Sequence, residues 1–226
     1  MRVLWMGDSI AWGVGTYRES WPSRLCRIVG ADLDNKAVGG STLAYSDPAR
    51  TDLTCWMTRS DNGCMPEDNN APVYAVRVID RAIEAGKRPD LVVMSGGIND
   101  AMAYGEGQIG PALTDAMIHI ARNAAARGIA FACSTLLPIR RGKVYAADLI
   151  GIIEARRRAA NAALRRVFAG AGMLLDLADA GDPDNDGWLD LLCDNGDPDG
   201  LHPGDIGAQL IAERAAAIWP HLRKTI

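Results

Sequence analysis

Short, unbroken apolar runs recur along the chain: Val3-Leu4-Trp5-Met6, Leu91-Val92-Val93-Met94, Ile129 to Thr135, and Met173-Leu174-Leu175. A run of this length bounded by turn residues reads as a strand buried on both faces. Between the runs the apolar residues return every three or four positions, the spacing of a helix with one face in a core. Such spacing covers Trp21 to Val29, starting beside Pro22, and Val73 to Ala85, closed by Gly86 and Arg88-Pro89. It recurs from Gly110-Pro111 to Arg127-Gly128, with Leu113, Met117, Ile120 and Ala124 on one face. A last helix before the fifth strand spans about Ala147 to Ala169, with Ile152, Ile153, Leu164 and Val167 towards the sheet. Its Arg156-Arg157-Arg158 and Arg165-Arg166 fall on the wet face. Asp32 to Val38 is too polar for a central strand and reads as a short second one. Strands alternating with helices predict an α/β domain with a parallel sheet.

Three stretches break the pattern. Residues 45–71 are rich in Asp, Asn, Ser, Thr and Pro, and read as a loop insertion, either one wall of a binding site or a surface loop. Leu136 to Tyr145 carries Arg140, Arg141 and Lys143, suited to an anion or simply solvated. Residues 180–199 form an acidic loop whose Asp182-Pro183-Asp184-Asn185-Asp186-Gly187 opens like a calcium loop. Cys193 then stands where the bidentate glutamate belongs, so a solvated turn is the competing reading and no metal is assigned.

At 226 residues and 48% hydrophobic, residues 1–226 fit one well-filled domain. The net charge of −4 provides no positive field for a nucleic acid, and no apolar run is long enough to cross a bilayer. Met1 leads into the first strand without a basic and apolar leader, which predicts a cytoplasmic protein. Cys26 and Cys133 sit in apolar settings that suit buried free thiols, and Cys55 and Cys64 are spaced to close a small disulfide ring in an oxidising compartment.

The candidate chemistry lies where apolar runs end. The first run stops at Gly7-Asp8-Ser9 and the third strand at Ser95-Gly96-Gly97-Ile98-Asn99-Asp100, and both deliver polar groups to the carboxyl edge of the sheet, where ligands bind in open α/β folds. Gly39-Gly40 follows the second strand, and Asp199-Gly200-Leu201-His202-Pro203 lies near the end of the chain. A serine needs a base to take its proton, and a histidine needs a carboxylate to hold its tautomer, so Ser9, His202 and Asp199 suit nucleophilic attack on a carbonyl. Asp8 and Asp100 would oppose a developing oxyanion and read as loop hydrogen-bond acceptors, and His119, alone within a helix, reads as structural.

A serine, glycine, asparagine and histidine in this order, carried by Gly7-Asp8-Ser9, Gly39-Gly40, Gly97-Ile98-Asn99-Asp100 and Asp199-Gly200-Leu201-His202-Pro203, resembles the four blocks of the SGNH hydrolases, also called the GDSL lipases and esterases. The resemblance implies a three-layer α/β/α sandwich, flavodoxin-like, with about five mostly parallel strands. It implies a serine esterase with the triad Ser9, His202 and Asp199, and an oxyanion hole made by the Ser9 and Gly40 amides and the Asn99 side chain. No cofactor is called for. The ending around His202 is most similar to carbohydrate O-acetyl esterases, so the expected partner is a small ester or an acetylated carbohydrate. Acyl transfer, thioester hydrolysis and a non-catalytic carbohydrate-binding module remain as alternatives, and the oligomeric state is not implied. A histidine base predicts activity that rises as the imidazole loses its proton, whereas a profile flat from about pH 5 to 8 argues against one.

Overall fold

Val3 to Met6 have no polar side chain to keep wet, and they are buried as the middle of β1 (Arg2–Gly7). The computed structural model describes residues 1–45, 55–57, 73–139, 147–178 and 200–222. In these, β1 is flanked by β2 (Asp32–Asn35) on one side and β3 (Leu91–Ser95) on the other, followed outward by β4 (Ala130–Ser134) and β5 (Leu174–Leu175). Every pairing is parallel and the order is β2-β1-β3-β4-β5. The polar Asp32-Leu33-Asp34-Asn35 segment is tolerated because it is an edge strand. The largely apolar β1, β3 and β4 fill the middle, buried on both faces.

This order fixes where the helices go. From β1 the chain steps outward to β2, then crosses back to β3 and continues the other way through β4 and β5. With right-handed crossovers, reversing direction moves the connecting helix to the opposite face. Accordingly α2 (Trp21–Val29) packs against the C-terminal α7 (Asp205–Ile218) on one face, and α3 (Tyr74–Glu84), α5 (Glu106–Ala126) and α6 (Ala147–Leu164) pack together on the other. The fold is a three-layer α/β/α sandwich with a five-stranded parallel sheet of flavodoxin-like order. The reversal point lies between β1 and β3, so the residues after these strands share one crevice.

Two helices differ from their sequence reading. Helix α5 starts at Glu106, well before Gly110, because Gln108 Oε1 accepts the Gly105 N–H and caps the first turn. Pro111 therefore sits inside the helix. Helix α6, which runs on through a π-turn over Arg165–Ala169, buries Ile153, Ala160, Leu164 and Phe168, while Ile152 is half exposed. Arg157 lies in that buried stripe and is only 4% exposed, so the wet-face reading of the arginine run fails there. Its guanidinium pairs with Glu154 and donates to the Leu136 carbonyl, and Glu154 Oε1 accepts the Ile139 N–H. A paired and hydrogen-bonded charge can be buried where a lone one cannot. The pair thereby staples the segment after β4 to α6.

Candidate functional site

Gly7 ends β1 opposite Ser95, and a Cβ on it would lie 2.1 Å from the Ser95 carbonyl oxygen. Only glycine lets the two strand ends approach this closely. The chain then turns at once into α1 (Ser9–Trp12), whose N-cap Asp8 accepts the Ile10 N–H at 3.0 Å. Ser9 is thus the first residue of a single helical turn at the mouth of the crevice, 8% exposed. His202, 193 positions away, places its Nε2 2.8 Å from Ser9 Oγ. A hydroxyl hydrogen bond of this length to an imidazole nitrogen is the geometry a general base needs.

The other two blocks meet in the same place. Gly40 has φ +72, a left-handed turn that glycine adopts without strain. The adjacent Ser41 is tied to the nucleophile turn, with its Oγ donating to the Gly7 carbonyl at 2.8 Å. Trp56 Nε1 donates to that same carbonyl and to Ser41 Oγ. Asn99, in the first turn of α4 (Ile98–Ala103), donates from Nδ2 to the Ser41 carbonyl at 2.6 Å. One amide hydrogen is therefore committed to holding the Gly40-Ser41 turn, and the second remains to be used. Ser9, Gly40, Asn99 and His202 converge on one site, while Asp199 lies outside the described residues. So do the calcium-like Asp182 to Asp186, the basic Arg140, Arg141 and Lys143, and most of the 45–71 insertion.

Two carboxylates support the turns. Asp100 is fully buried and accepts the N–H groups of Leu43, Ala44 and Tyr45, so α4 carries the loop that follows Gly40. Burial pushes the Asp100 carboxyl above its usual range, with the three N–H donors pulling the other way. At Asp8, burial pushes the carboxyl up to about 7, opposed by the Ile10 N–H and by His202. The loop-acceptor reading of both residues holds, and a buried Asp8 that keeps its proton into the neutral range places no full negative charge beside Ser9.

The raised value at Asp8 makes stability depend on pH. Between the ordinary 3.8 and about 7 the unfolded chain ionises this group while the folded chain does not. Stability is therefore lost as pH rises through that window and the penalty is complete above it. Asp8→Asn removes the titration while leaving an oxygen for the Ile10 N–H. Urea unfolding at about pH 4 and pH 8 should show the variant gaining about 2 to 4 kcal/mol on the wild type between the two conditions. A difference that does not change with pH would show that Asp8 titrates normally.

The linking roles of Ser41 and Trp56 were not legible in the sequence. A tryptophan within an otherwise polar stretch was the available signal. Trp56 is 1% exposed, and a bridge from Thr42 to Cys55 brings this part of the insertion back into the core. Cys55 is a buried free thiol donating to the Leu43 carbonyl at 3.6 Å, so it does not form the disulfide considered from the sequence, and Cys64 lies outside the described residues. Cys26 and Cys133 are buried free thiols as expected, and burial pushes both upward, Cys26 to about 12. Among the described residues no cluster of His, Cys, Asp and Glu could hold a metal ion, and no helix is long and apolar enough to cross a membrane.

A small cavity of about 20 Å³ lies beside Asp8 and Ile10, walled by Ile98, Leu136 and Leu177 together with Ser134 and Thr135, and Ser9, Gly40, Asn99 and His202 are not in its wall. Its volume is on the order of one small group.

Comparison with known proteins places the chain in a family and agrees with the fold. The model of the GDSL-like Lipase/Acylhydrolase family matches residues 5–210. No curated protein matches the chain. Among solved structures, a protein from Lactobacillus plantarum is similar at 21% identity and a TM-score of 0.62, covering 97% of this chain and 96% of its own. The lipase Lip_vut3 from a goat rumen metagenome is similar at 14% identity and a TM-score of 0.61, covering 99% of each chain. A GDSL-like lipase from Bacteroides thetaiotaomicron is similar at 17% identity and a TM-score of 0.53, covering 98% of this chain and 89% of its own. At these identities the structural likeness speaks for the fold.

Proposed function

Because the chain belongs to the GDSL-like lipase/acylhydrolase family and is a carboxylic ester hydrolase, we propose that Ser9 is its nucleophile, His202 its general base, and a short acyl ester its substrate. The observation that carries this is the 2.8 Å contact between His202 Nε2 and Ser9 Oγ. As Oγ attacks the carbonyl carbon, its proton passes to Nε2 and the carbonyl oxygen takes the negative charge. The Ser9 and Gly40 amides and the free hydrogen of the Asn99 amide stabilise that charge, each donor contributing on the order of 3 kcal/mol at most. His202 then returns the proton to the departing alcohol oxygen, leaving Ser9 acylated. Water, deprotonated by His202, attacks the acyl-enzyme and releases the acid. Asp199, three residues before His202, is the proposed partner of the other ring nitrogen, holding the tautomer and stabilising the imidazolium.

The alcohol part is read as a carbohydrate and the acyl part as acetate. The resemblance of Asp199 to Pro203 to carbohydrate O-acetyl esterases supports the first. The same resemblance supports the second. Hydrolysis of p-nitrophenyl esters from acetate to palmitate tests the acyl assignment. The expected kcat/KM is highest for acetate or propionate and at least about 100-fold lower for palmitate, consistent with about 3 kcal/mol of lost binding or added strain. A maximum at eight carbons or more would overturn the short-acyl reading and leave the ester hydrolase intact.

A further inference from the structure

The reacting pair is joined across 193 positions, and something must hold its halves in register. The segment from Gly13 to Ser20 connects the Ser9 helix to α2 and runs directly beneath the histidine. Gly15, at φ +89, is so close that a Cβ there would lie 2.8 Å from the Pro203 carbonyl oxygen and 3.0 Å from His202 Cβ. Ser20 and Gly13 are equally close: a Cβ on Gly13 would meet Ser20 Cβ at 2.8 Å.

Behind this contact lies one polar cluster. Arg24 on α2 is 8% exposed, and a cation is kept that far from water only when its donors are used. Its Nε donates to the Glu19 carbonyl at 2.9 Å, Nη1 to Gln209 Oε1 at 3.3 Å, and Nη2 to Asp205 Oδ1. The second carboxylate oxygen of Asp205 accepts the Tyr17 N–H at 3.4 Å. Asp205 opens α7, three residues after His202, and Glu19 and Tyr17 belong to the segment that leaves Ser9. The guanidinium and carboxylate therefore clamp the chain that leaves the nucleophile to the helix that follows the base.

We infer that Arg24 and Asp205 are positioning residues for the hydrolytic reaction, setting the distance between His202 and Ser9 without touching substrate. The inference rests on the reading of Ser9 and His202 as the reacting pair. A fork with donors in fixed directions suits the task, because it holds the Glu19 carbonyl, Gln209 and Asp205 at once, whereas an ammonium on a flexible stem holds a single point. Neither residue belongs to the four motif blocks, and nothing in the spacing of Arg24 distinguishes it from the exposed Arg27 of the same helix.

The experiment uses the full chain and three variants, Arg24→Leu, Arg24→Lys and Asp205→Asn, with Arg27→Leu as control. Among the described residues Arg27 pairs through an exposed contact with Glu19 Oε2 at 3.1 Å. For p-nitrophenyl acetate, Arg24→Leu and Asp205→Asn are expected to lose about 10- to 100-fold in kcat with KM changed less than about twofold, the mark of a misplaced reacting group. Arg24→Lys should recover thermal stability but only part of kcat. Arg27→Leu should match the wild type. The ring nitrogen signals of 15N-labelled histidine should move at His202 in Arg24→Leu and Asp205→Asn and stay at His119 and His221. Should Arg24→Leu not fold, Asp205→Asn, which keeps an acceptor for the Tyr17 N–H, carries the test. Folded variants with kcat within about twofold of wild type and an unmoved His202 signal would overturn the inference. The histidine signal reads positioning even in a protein inactive on this ester, so a failure of the hydrolytic reading is recognised separately, by wild type that matches Ser9→Ala.

Discussion

Ser9→Ala is expected to lower kcat/KM for p-nitrophenyl acetate by at least about 10⁴-fold. The change deletes the oxygen that forms the acyl-enzyme and that lies 2.8 Å from His202 Nε2. Binding and the oxyanion donors persist, so any residual rate measures what they contribute alone. Structure should hardly change. Ser9 opens a helical turn in which alanine is well accommodated, and the lost hydrogen bond contributes about 1 kcal/mol. A melting temperature within a few degrees of wild type, together with loss of turnover, assigns the effect to chemistry. Retention of a tenth or more of the activity by a pure, folded variant would remove Ser9 from the mechanism.

Asn99→Ala is expected to cost about 10²- to 10³-fold in kcat with little change in KM. A ground-state ester carbonyl is weakly charged and the oxyanion fully so, and a donor aimed at the oxyanion is felt mainly in the transition state. The bond from Asn99 Nδ2 to the Ser41 carbonyl orients the amide and leaves the second hydrogen for the substrate. Ser41 keeps its own ties to the Gly7 carbonyl and to Trp56 in the variant, so the Gly40 turn should remain in place. Asn99→Asp should be at least as damaging, because a carboxylate has no donor for Ser41 and repels the oxyanion. A raised KM at unchanged kcat would instead assign Asn99 to holding the ground-state substrate.

Much of the fold was legible because its signals are local. Each central strand carries an unbroken run of apolar residues, and each helix of the outer layers repeats its apolar positions at helical spacing. The exceptions were decided by partners distant in sequence. Arg157 was assigned to solvent because an arginine is costly to bury, and only Glu154 with the Leu136 carbonyl makes its burial tolerable. The start of α5 was placed at Gly110-Pro111, whereas the side chain of Gln108 supplies an earlier cap. Spacing left open whether Cys55 is bridged to Cys64, and the structure shows its thiol free against the Leu43 carbonyl.

The sequence by itself determined the class of the fold, the residues that end at the sheet edge, and the order serine, glycine, asparagine, histidine, since periodicity and turn chemistry act between near neighbours. Tertiary structure alone decided that Ser9 and His202 lie within one hydrogen bond, that Asn99 spends a hydrogen on Ser41, and that Arg24 joins the segment after Ser9 to the helix after His202. Those distances arise from how the sheet reverses between β1 and β3 and how α2 packs on α7. Such packing sums many weak contacts among residues far apart in the chain, and no single stretch of sequence records the sum.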